Sequence, residues 1–320
     1  MADPDAWPEL PLAAWRPTLD TLHLWLQIAG KLSLGLKPMR NHFWQSVFYV
    51  TSRGLTTAPI PYGTRIFEMV FDFIDHHLRI DVSDGGSRTI KLEPRSVADF
   101  YGETMDALRA LSLDVEIWTT PVEFVPRVPF EEDRAHAAYD RQAAGRCWRI
   151  LIQADRLFKM FNGRFLGKSS PSHLFWGAFD LAVTRFSGRA AALYSGGAPA
   201  VHPHVMHESY SHEVISHGFW FGDDRLAEPA FYGYAVPTPD GFGDAKVAPA
   251  GAYFNSDLGE FILPYELVRT SSDPDAMVLD FMQSTYEAGA TLGGWDRTAL
   301  EERPPCPCGP VPHKLKYVAG

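Results

Sequence analysis

The sequence has little cysteine and no long hydrophobic run, and both absences limit where the protein can work. Its three cysteines among 320 residues are Cys147, Cys306 and Cys308, too few for a disulfide framework and typical of a reducing compartment. No apolar run reaches the roughly 18 residues that a membrane helix needs. Residues 1–5 are acidic and lack the layout of a signal peptide. We therefore expect a cytoplasmic protein with no membrane partner.

Basic residues are scarce as well. The chain has 29 Lys and Arg against 39 Asp and Glu, a formal net charge of −10, so no basic surface that would hold nucleic acid is expected. A Gly-rich phosphate loop, a Gly-x-Ser-x-Gly elbow and a dinucleotide fingerprint are also missing. Aromatic residues are abundant, with 21 Phe, 12 Tyr and 9 Trp. They predict a large aromatic core or cavity, and a small molecule as the partner.

Two parts of the chain repeat three features in one order: a His shortly before a Trp, an Arg after the next apolar stretch, and the pattern Asp-Phe-x3-Thr-x2-Ala. The first copy has them at His42, Arg53 and 99–107, and the second at His173, Arg185 and 280–288. This order favours an internal duplication; chance with shared strand–helix patterning is the alternative. The resulting division is a first half at 1–125, a linker at 126–146, a second half at 147–302 with a loop-like insertion at 190–245, and a disordered tail at 303–320.

Hydrophobic patterns predict the elements of each half. The expected strands lie at 43–50, 67–74, 77–82, 88–92, 115–125, 175–184 and 261–268. Helices are expected at 96–111 and from Asp273 to Gly293, where capping residues frame the pattern. The fold class is therefore α+β. Each of two related halves has an antiparallel sheet and one long helix, and a pseudo-two-fold axis relates them across an aromatic-rich cleft. One continuous sheet is the alternative.

The most unusual segment runs from His202 to His217 and holds five of the twelve histidines. Imidazole and carboxylate together are ligands for Zn, Fe or Mn, which makes His207, Glu208 and His212 candidate metal ligands. Glu208 and His212 share a face whether this segment is a strand or a helix. A solvated histidine-rich loop without metal is the alternative.

The repeated His and Arg positions are the second candidate set. His42 and His173 are either buried histidines bonded to backbone or site residues. Arg53 and Arg185 lie in apolar stretches and need partners. They either form internal salt bridges with Asp72 and Asp180, or hold an anionic substrate group. For both pairs, the structural and the ligand-binding interpretations remain open.

Carboxylates in apolar surroundings form the third set, at Glu260, Glu266 and Glu287. If buried, they have raised pKa values or bind cations; if they lie on strand edges, they face water. Cys306 and Cys308 are too few for a tetrahedral metal site, and we interpret them as tail composition.

Longer motifs connect the chain to a family. They are Asn41-His42-x-Trp44, Arg53-Gly54-Leu55, Phe71-Asp72-Phe73, Phe175-Trp176-Gly177-x2-Asp180-Leu181-x3-Arg185-Phe186-Ser187-Gly188, Tyr210-Ser211-His212-Glu213-Val214, Gly218-Phe219-Trp220 and Leu263-Pro264-Tyr265-Glu266. In these motifs the chain resembles an uncharacterised bacterial family of about 300 residues, a domain of unknown function. The resemblance covers 7–301 and implies a soluble bacterial protein without a stated activity. His202, His204, His207 and His217 are not clearly part of the pattern, which favours His212 and Glu213.

Two functions follow from the sequence. The first is an enzyme acting on a small anionic molecule in the cleft, with or without a divalent metal; the second is a non-catalytic binder of a small molecule or metal. The candidate catalytic residues are His212, Glu213, His173, Arg185 and Glu266. The candidate ligand-binding residues are Arg53, His42, Trp176, Tyr210 and Trp220.

Overall fold

The computed structural model describes residues 6–301. The first half has helix α1 at Leu12–Leu36, six strands and helix α2 at Val97–Ala110. The strands are β1 Tyr49–Val50, β2 Gly54–Thr56, β3 Ile60–Tyr62, β4 Arg65–Asp72, β5 His77–Val82 and β6 Ser87–Lys91.

The second half again places a long helix before a sheet. Its helices are α3 Arg141–Asn162, α4 Pro203–Ser209, α5 Tyr265–Arg269, α6 Pro274–Leu292 and α7 Arg297–Leu300. Its strands are β7 His173–Phe175, β8 Asp180–Ala190, β9 His212–Trp220, β10 Ala230–Val236, β11 Tyr253–Asn255 and β12 Glu260–Pro264.

Within residues 6–301 each half carries one antiparallel sheet of six strands. The first has the order β1-β2-β4-β5-β6 with β3 beside β4, and the second the order β11-β12-β10-β9-β8-β7. The α+β class with two sheet-bearing halves is thereby confirmed. The sheets meet where Phe48 and Leu174 exchange backbone hydrogen bonds of 3.0 and 2.8 Å. Because β3 and β11 are added at different places, the pseudo-two-fold relation stays a prediction.

Helix α1 is the central element of the molecule. Every residue from 21 to 33 is buried, which is the pattern of a helix enclosed on all sides. It contacts α2, α3 and β3, and the ring of Trp25 stacks on that of Phe100 with centroids 4.4 Å apart. Polar groups on so buried a helix must find partners in neighbouring segments, and these partners shape the cavity described below.

Local signals placed several elements correctly. The Ser96 hydroxyl accepts a 3.1 Å hydrogen bond from the Asp99 amide at the start of α2. Asp273 caps α6 in the same way, 3.0 Å from the Ala276 amide. The repeated threonines have matching roles, since Thr104 and Thr285 each donate to the carbonyl four residues earlier, at 2.8 and 2.7 Å.

Other expectations need correction. Only the end of 43–50 is strand, because 41–43 form a 3₁₀ turn, and 115–125 contains no regular element. Helix α3 begins inside the expected linker at 126–146. The segment 190–245 is not loop throughout, since it supplies β9 and β10 in the middle of the second sheet. The expected tail at 303–320 lies outside the described residues.

Candidate functional site

A cavity of about 1240 Å³ lies between the second sheet and elements of the first half. One wall is the face of β8, β9 and β10 that turns away from α3 and α6. The opposite wall comes from the end of α1, the 3₁₀ turn at 41–43 and the segment around 118–123. Nine aromatic side chains line it: Phe43, Trp118, Phe175, Trp176, Tyr194, Tyr210, Trp220, Tyr232 and Tyr234.

Strand register explains how Tyr232 lies across the sheet wall of the cavity. Ala182, Gly218 and Tyr232 lie opposite one another on β8, β9 and β10. A Cβ atom on Gly218 would collide with the ring of Tyr232, so glycine there lets the tyrosine cross its neighbouring strand. The Tyr232 hydroxyl thereby reaches β8 and donates a hydrogen bond to Asp180.

Three carboxyl groups face this cavity: Glu123, Asp180 and Glu260. In the described chain none of the three has a Lys, Arg or His within ion-pair distance. Burial raises the pKa of Asp180 to about 6 and the pKa values of Glu123 and Glu260 to about 7. The Asp180 charge adds to the upward shift for both glutamates. These acids exchange protons near neutral pH.

The basic groups of the cavity are already engaged. Arg225, which lines the cavity, pairs with Asp223 at 2.9 Å and lies 5.3 Å from the Trp220 ring centre. Lys31 donates a 2.7 Å hydrogen bond to the Thr120 carbonyl, and its Nζ is 4.3 Å from the ring centre of Trp118. Burial lowers the pKa of Lys31 to about 8.

One face of α1 holds two walls of the cavity in place. His23 and Gln27 are one helical turn apart, with Lys31 one turn further on. The His23 ring donates from Nε2 toward the carbonyls of Trp176 and Gly177, each 2.9 Å away. Burial lowers the pKa of His23 to about 4, so it does this as a neutral ring.

Gln27 fixes the segment that carries Glu123. Its amide nitrogen donates to the Val122 carbonyl at 2.8 Å, and its oxygen accepts from the Val122 amide at 3.0 Å. Tight contacts complete the arrangement. A Cβ on Gly30 would lie 2.5 Å from the Trp176 ring, and one on Gly177 would collide with the Glu123 carboxyl.

Backbone strain concentrates around the same cavity. Non-glycine residues with positive φ include His42 at 60°, Phe43 at 54°, Glu123 at 52°, Phe179 at 56° and Ala200 at 59°. Each such conformation costs of the order of 1 kcal/mol or more and persists where the surroundings impose it. Four of these five residues line the cavity and the fifth directly precedes Asp180, which marks this region as a candidate functional site.

The structure brings some of the sequence-predicted site residues together. His42, Trp176, Tyr210 and Trp220 all line the cavity. His42 is 7% exposed and its Nδ1 has no hydrogen-bond partner in the described chain. His173 is fully buried outside the lining, and its Nδ1 lies 2.8 Å from the Pro171 carbonyl.

The two arginines lie elsewhere. Arg53 sits in the exposed turn between β1 and β2 and pairs with Asp72 and, at 2.5 Å, with Asp75. The expected Arg53–Asp72 bridge is thus present. Arg185 is buried on the other face of the second sheet, so it cannot hold a ligand in the cavity.

Arg185 has no carboxylate partner within ion-pair distance among residues 6–301, and its Nε has no hydrogen-bond partner there. Its guanidinium donates to the Phe161 carbonyl and lies 3.4 and 4.4 Å from the ring centres of Phe161 and Tyr286. Burial lowers its pKa to about 9. The expected Arg185–Asp180 bridge is therefore wrong, because positions 180 and 185 of β8 have opposite parity and send the two side chains to opposite faces of the sheet.

The remaining catalytic candidates lie outside the cavity lining. His212 is exposed at the start of β9. Glu213 pairs with Arg189 at 2.7 Å, and Glu266 is exposed and pairs with Arg269 at 2.5 Å. These contacts are structural ion pairs at the surface.

The metal candidates do not converge either. Glu208 accepts a 2.5 Å hydrogen bond from the His42 amide, while His212 contacts Ser211. Among the described residues, no three His, Cys, Asp or Glu side chains are grouped so that they could hold a metal ion.

Sequence reasoning missed Glu123 and Lys31 and treated Asp180 only as an ion-pair partner. Glu123 lies in an expected strand whose true shape depends on Gln27, far away in the sequence. Glu260 was identified by its apolar surroundings, and it is the one of the three late glutamates that lines the cavity.

The fold and the cavity define an α+β protein with two sheet-bearing halves around one large aromatic-walled chamber. By comparison with family models, the chain belongs to a family of unknown function, DUF5996, whose model matches residues 7–302. This confirms the resemblance found in the sequence. Comparisons with curated proteins and with solved structures gave no match. Within residues 6–301 no helix has the length and hydrophobicity to cross a membrane.

Proposed function

We propose that the protein is an enzyme that performs acid–base chemistry on a small polar molecule in this cavity. The observation that carries the proposal is the convergence of Glu123, Asp180 and Glu260, without ion-pair partners in the described chain, on one aromatic-walled chamber. Paired acids that exchange protons near neutral pH are suited to donate and accept a proton within one reaction.

The residues have distinct roles in this proposal. Asp180 is held by the Tyr232 hydroxyl and has the lowest pKa of the three, about 6, so it is the group that carries charge near pH 7. Glu123 and Glu260, with pKa values of about 7, are the proton donor and acceptor. The aromatic rings bind and orient the substrate and exclude water.

Several elements of the sequence-based hypothesis remain proposals. A cytoplasmic location is favoured by the cysteine content. A metal ion is not needed for the acid–base role, and the scattered positions of His207, Glu208 and His212 do not support one. The anionic substrate depended on Arg185, which lies on the opposite face of the sheet.

A non-catalytic small-molecule binder is the second candidate. It is favoured by the nine aromatic side chains of the lining, since rings supply binding area without reactivity. The same cavity serves both candidates, and chemical turnover separates them.

The test is to incubate the purified protein with a small-metabolite extract and follow every mass over time. Wild type should consume at least one compound, and Glu260→Gln should slow this by about 100-fold or more, the usual contribution of a general acid or base. Glu266→Gln removes a surface acid and should behave as wild type. Compounds that bind without any change in mass would contradict the enzymatic proposal and support the binder.

A further inference from the structure

The charges of the cavity are unbalanced. Glu123, Asp180 and Glu260 have no basic side chain within ion-pair distance in the part of the chain that the structure describes. The two cations of the lining are Lys31, tied to the Thr120 carbonyl, and Arg225, paired with Asp223. Arg225 is near enough to lower the pKa of Glu123 and Glu260 against the effect of burial, but neither cation forms an ion pair with the acids, so a bound cation would stabilise their charged forms.

The aromatic walls around the acids favour the same kind of ligand. Tyr232 and Tyr234 stack with ring centres 5.9 Å apart and planes inclined by 18°, and Trp220 lies on the strand beside them. The faces of such rings attract cations, and Trp does so most strongly. Arg225 already uses Trp220 in this way, 5.3 Å from its centre.

A second acceptor stands at another part of the lining. His42 is 7% exposed and its Nδ1 is without a hydrogen-bond partner among residues 6–301. Burial lowers the pKa of His42 to about 3, so the ring is neutral at pH 7 and has one nitrogen that accepts a hydrogen bond. A buried acceptor without a partner is costly, but Nδ1 itself is enclosed by protein atoms, so the carboxylates and the rings are the groups that an ammonium group would contact.

We propose that the cavity takes an organic cation, a small amine whose ammonium group is held by the three carboxylates and the rings of Trp220 and Tyr232. This inference rests on the proposed function, since it names the substrate class of the same site. It replaces the anionic class expected from the sequence. Binding such a cation favours the ionised carboxylates, so protons leave the protein when the amine enters.

The experiment compares three probes with the same four-carbon chain and different charge: 1,4-diaminobutane, 1,4-butanediol and succinate. Affinities are measured by calorimetry at pH 7 with the full chain. The diamine should bind at least about tenfold more tightly than the diol, the gain expected from one charge-assisted contact, and succinate should bind most weakly. Equal affinities, tighter binding of succinate or no binding of the diamine would overturn the proposal.

Two further measurements keep the proposal testable even if a variant does not fold. Titration of wild type in buffers of different ionisation enthalpy should show proton release with the diamine, and its absence would count against the carboxylates as the binding groups. Glu260→Gln should lose about tenfold in diamine affinity, whereas Glu266→Gln should lose none. Equal losses in both variants would contradict a cavity site.

The outcomes separate this inference from the enzymatic proposal. If the diamine binds but the extract is left unchanged, the cationic ligand class is supported and the enzymatic proposal fails. If a compound without an amine is consumed and the diamine does not bind, catalysis stands and the cationic class fails.

Discussion

The polar side chains on the two faces of the second sheet have different surroundings. On the face toward α3 and α6, Arg185 is enclosed by the Phe161 carbonyl and two rings, and His217 contacts Thr285 at 2.8 Å. On the cavity face, Glu260 and Asp180 have no Lys, Arg or His within ion-pair distance in the described chain. The first face is closed by packing, although Arg185 Nε and His217 Nδ1 have no hydrogen-bond partner among residues 6–301, whereas the second face opens on the cavity.

The largest expected effect is at Arg185 on the packed face. Arg185→Ala removes a side chain that is 1% exposed and leaves a void, so we expect a loss of about 3 kcal/mol or more in the free energy of unfolding. Arg185→Met fills the space without a desolvated charge and should cost within about 1 kcal/mol. Chemical denaturation measures both. Equal losses for Ala and Met would show that the charge itself matters and would weaken the contrast.

The next effect concerns the wall between the halves. Gly30→Ala places a Cβ 2.5 Å from the Trp176 ring and should destabilise the protein by about 1–3 kcal/mol, because the ring must move. The matched control is Gly35→Ala on the same helix, where nothing lies within 4 Å. It should leave stability equal or slightly raised. If Gly30→Ala left the stability unchanged, Trp176 would not be held against α1.

A smaller effect tests the cavity face through pH. Burial raises the pKa of Glu260 from 4.5 to about 7, so between these values the folded state binds more protons than the unfolded state. Its contribution to stability is present below pH 4.5 and is lost as pH rises through 7. The free energy of unfolding of Glu260→Gln, relative to that of wild type, should therefore rise by about 1–2 kcal/mol from pH 4 to pH 8. This is less than a fully enclosed group would give.

Denaturant titrations at both pH values measure this gain. Glu266→Gln is the control, since its acid is exposed and paired with Arg269, and it should show no gain at high pH. If Glu260→Gln followed wild type at every pH, Glu260 would not be the uncompensated acid that the comparison requires.

The smallest expected effect is at His212. Its side chain is exposed and outside the cavity lining, so His212→Ala should change neither the melting temperature nor diamine affinity. A clear loss of binding would place the site near the start of β9 and would support a role for the histidine-rich segment.

Short-range sequence signals correctly predicted the features that depend on neighbouring residues, such as helix starts and hairpins. The caps Ser96 and Asp273 fixed the starts of α2 and α6, and the strands expected at 77–82 and 88–92 pair as β5 and β6. The aromatic content indicated a cavity, and Trp176, Trp220 and Tyr210 were assigned to it from sequence.

What the sequence did not reveal depends on contacts between distant segments. Glu123 turns into the cavity because Gln27 holds Val122, 95 positions away. The sequence makes Asp180 a candidate ion-pair partner of Arg185, although strand alternation puts the two side chains on opposite faces. The histidine-rich segment is unusual in composition, but its members lie on different elements because α4 ends and β9 begins within it.

The most direct test of the central claim is a carboxyl ¹³C NMR titration of the ligand-free protein, with Glu123, Asp180 and Glu260 assigned by their Gln and Asn variants. The account predicts that all three titrate well above the ordinary range, near pH 7 for the glutamates and near pH 6 for Asp180. It also predicts that 1,4-diaminobutane lowers these values. Three carboxyl groups that titrate below pH 5 and do not respond to the diamine would contradict it.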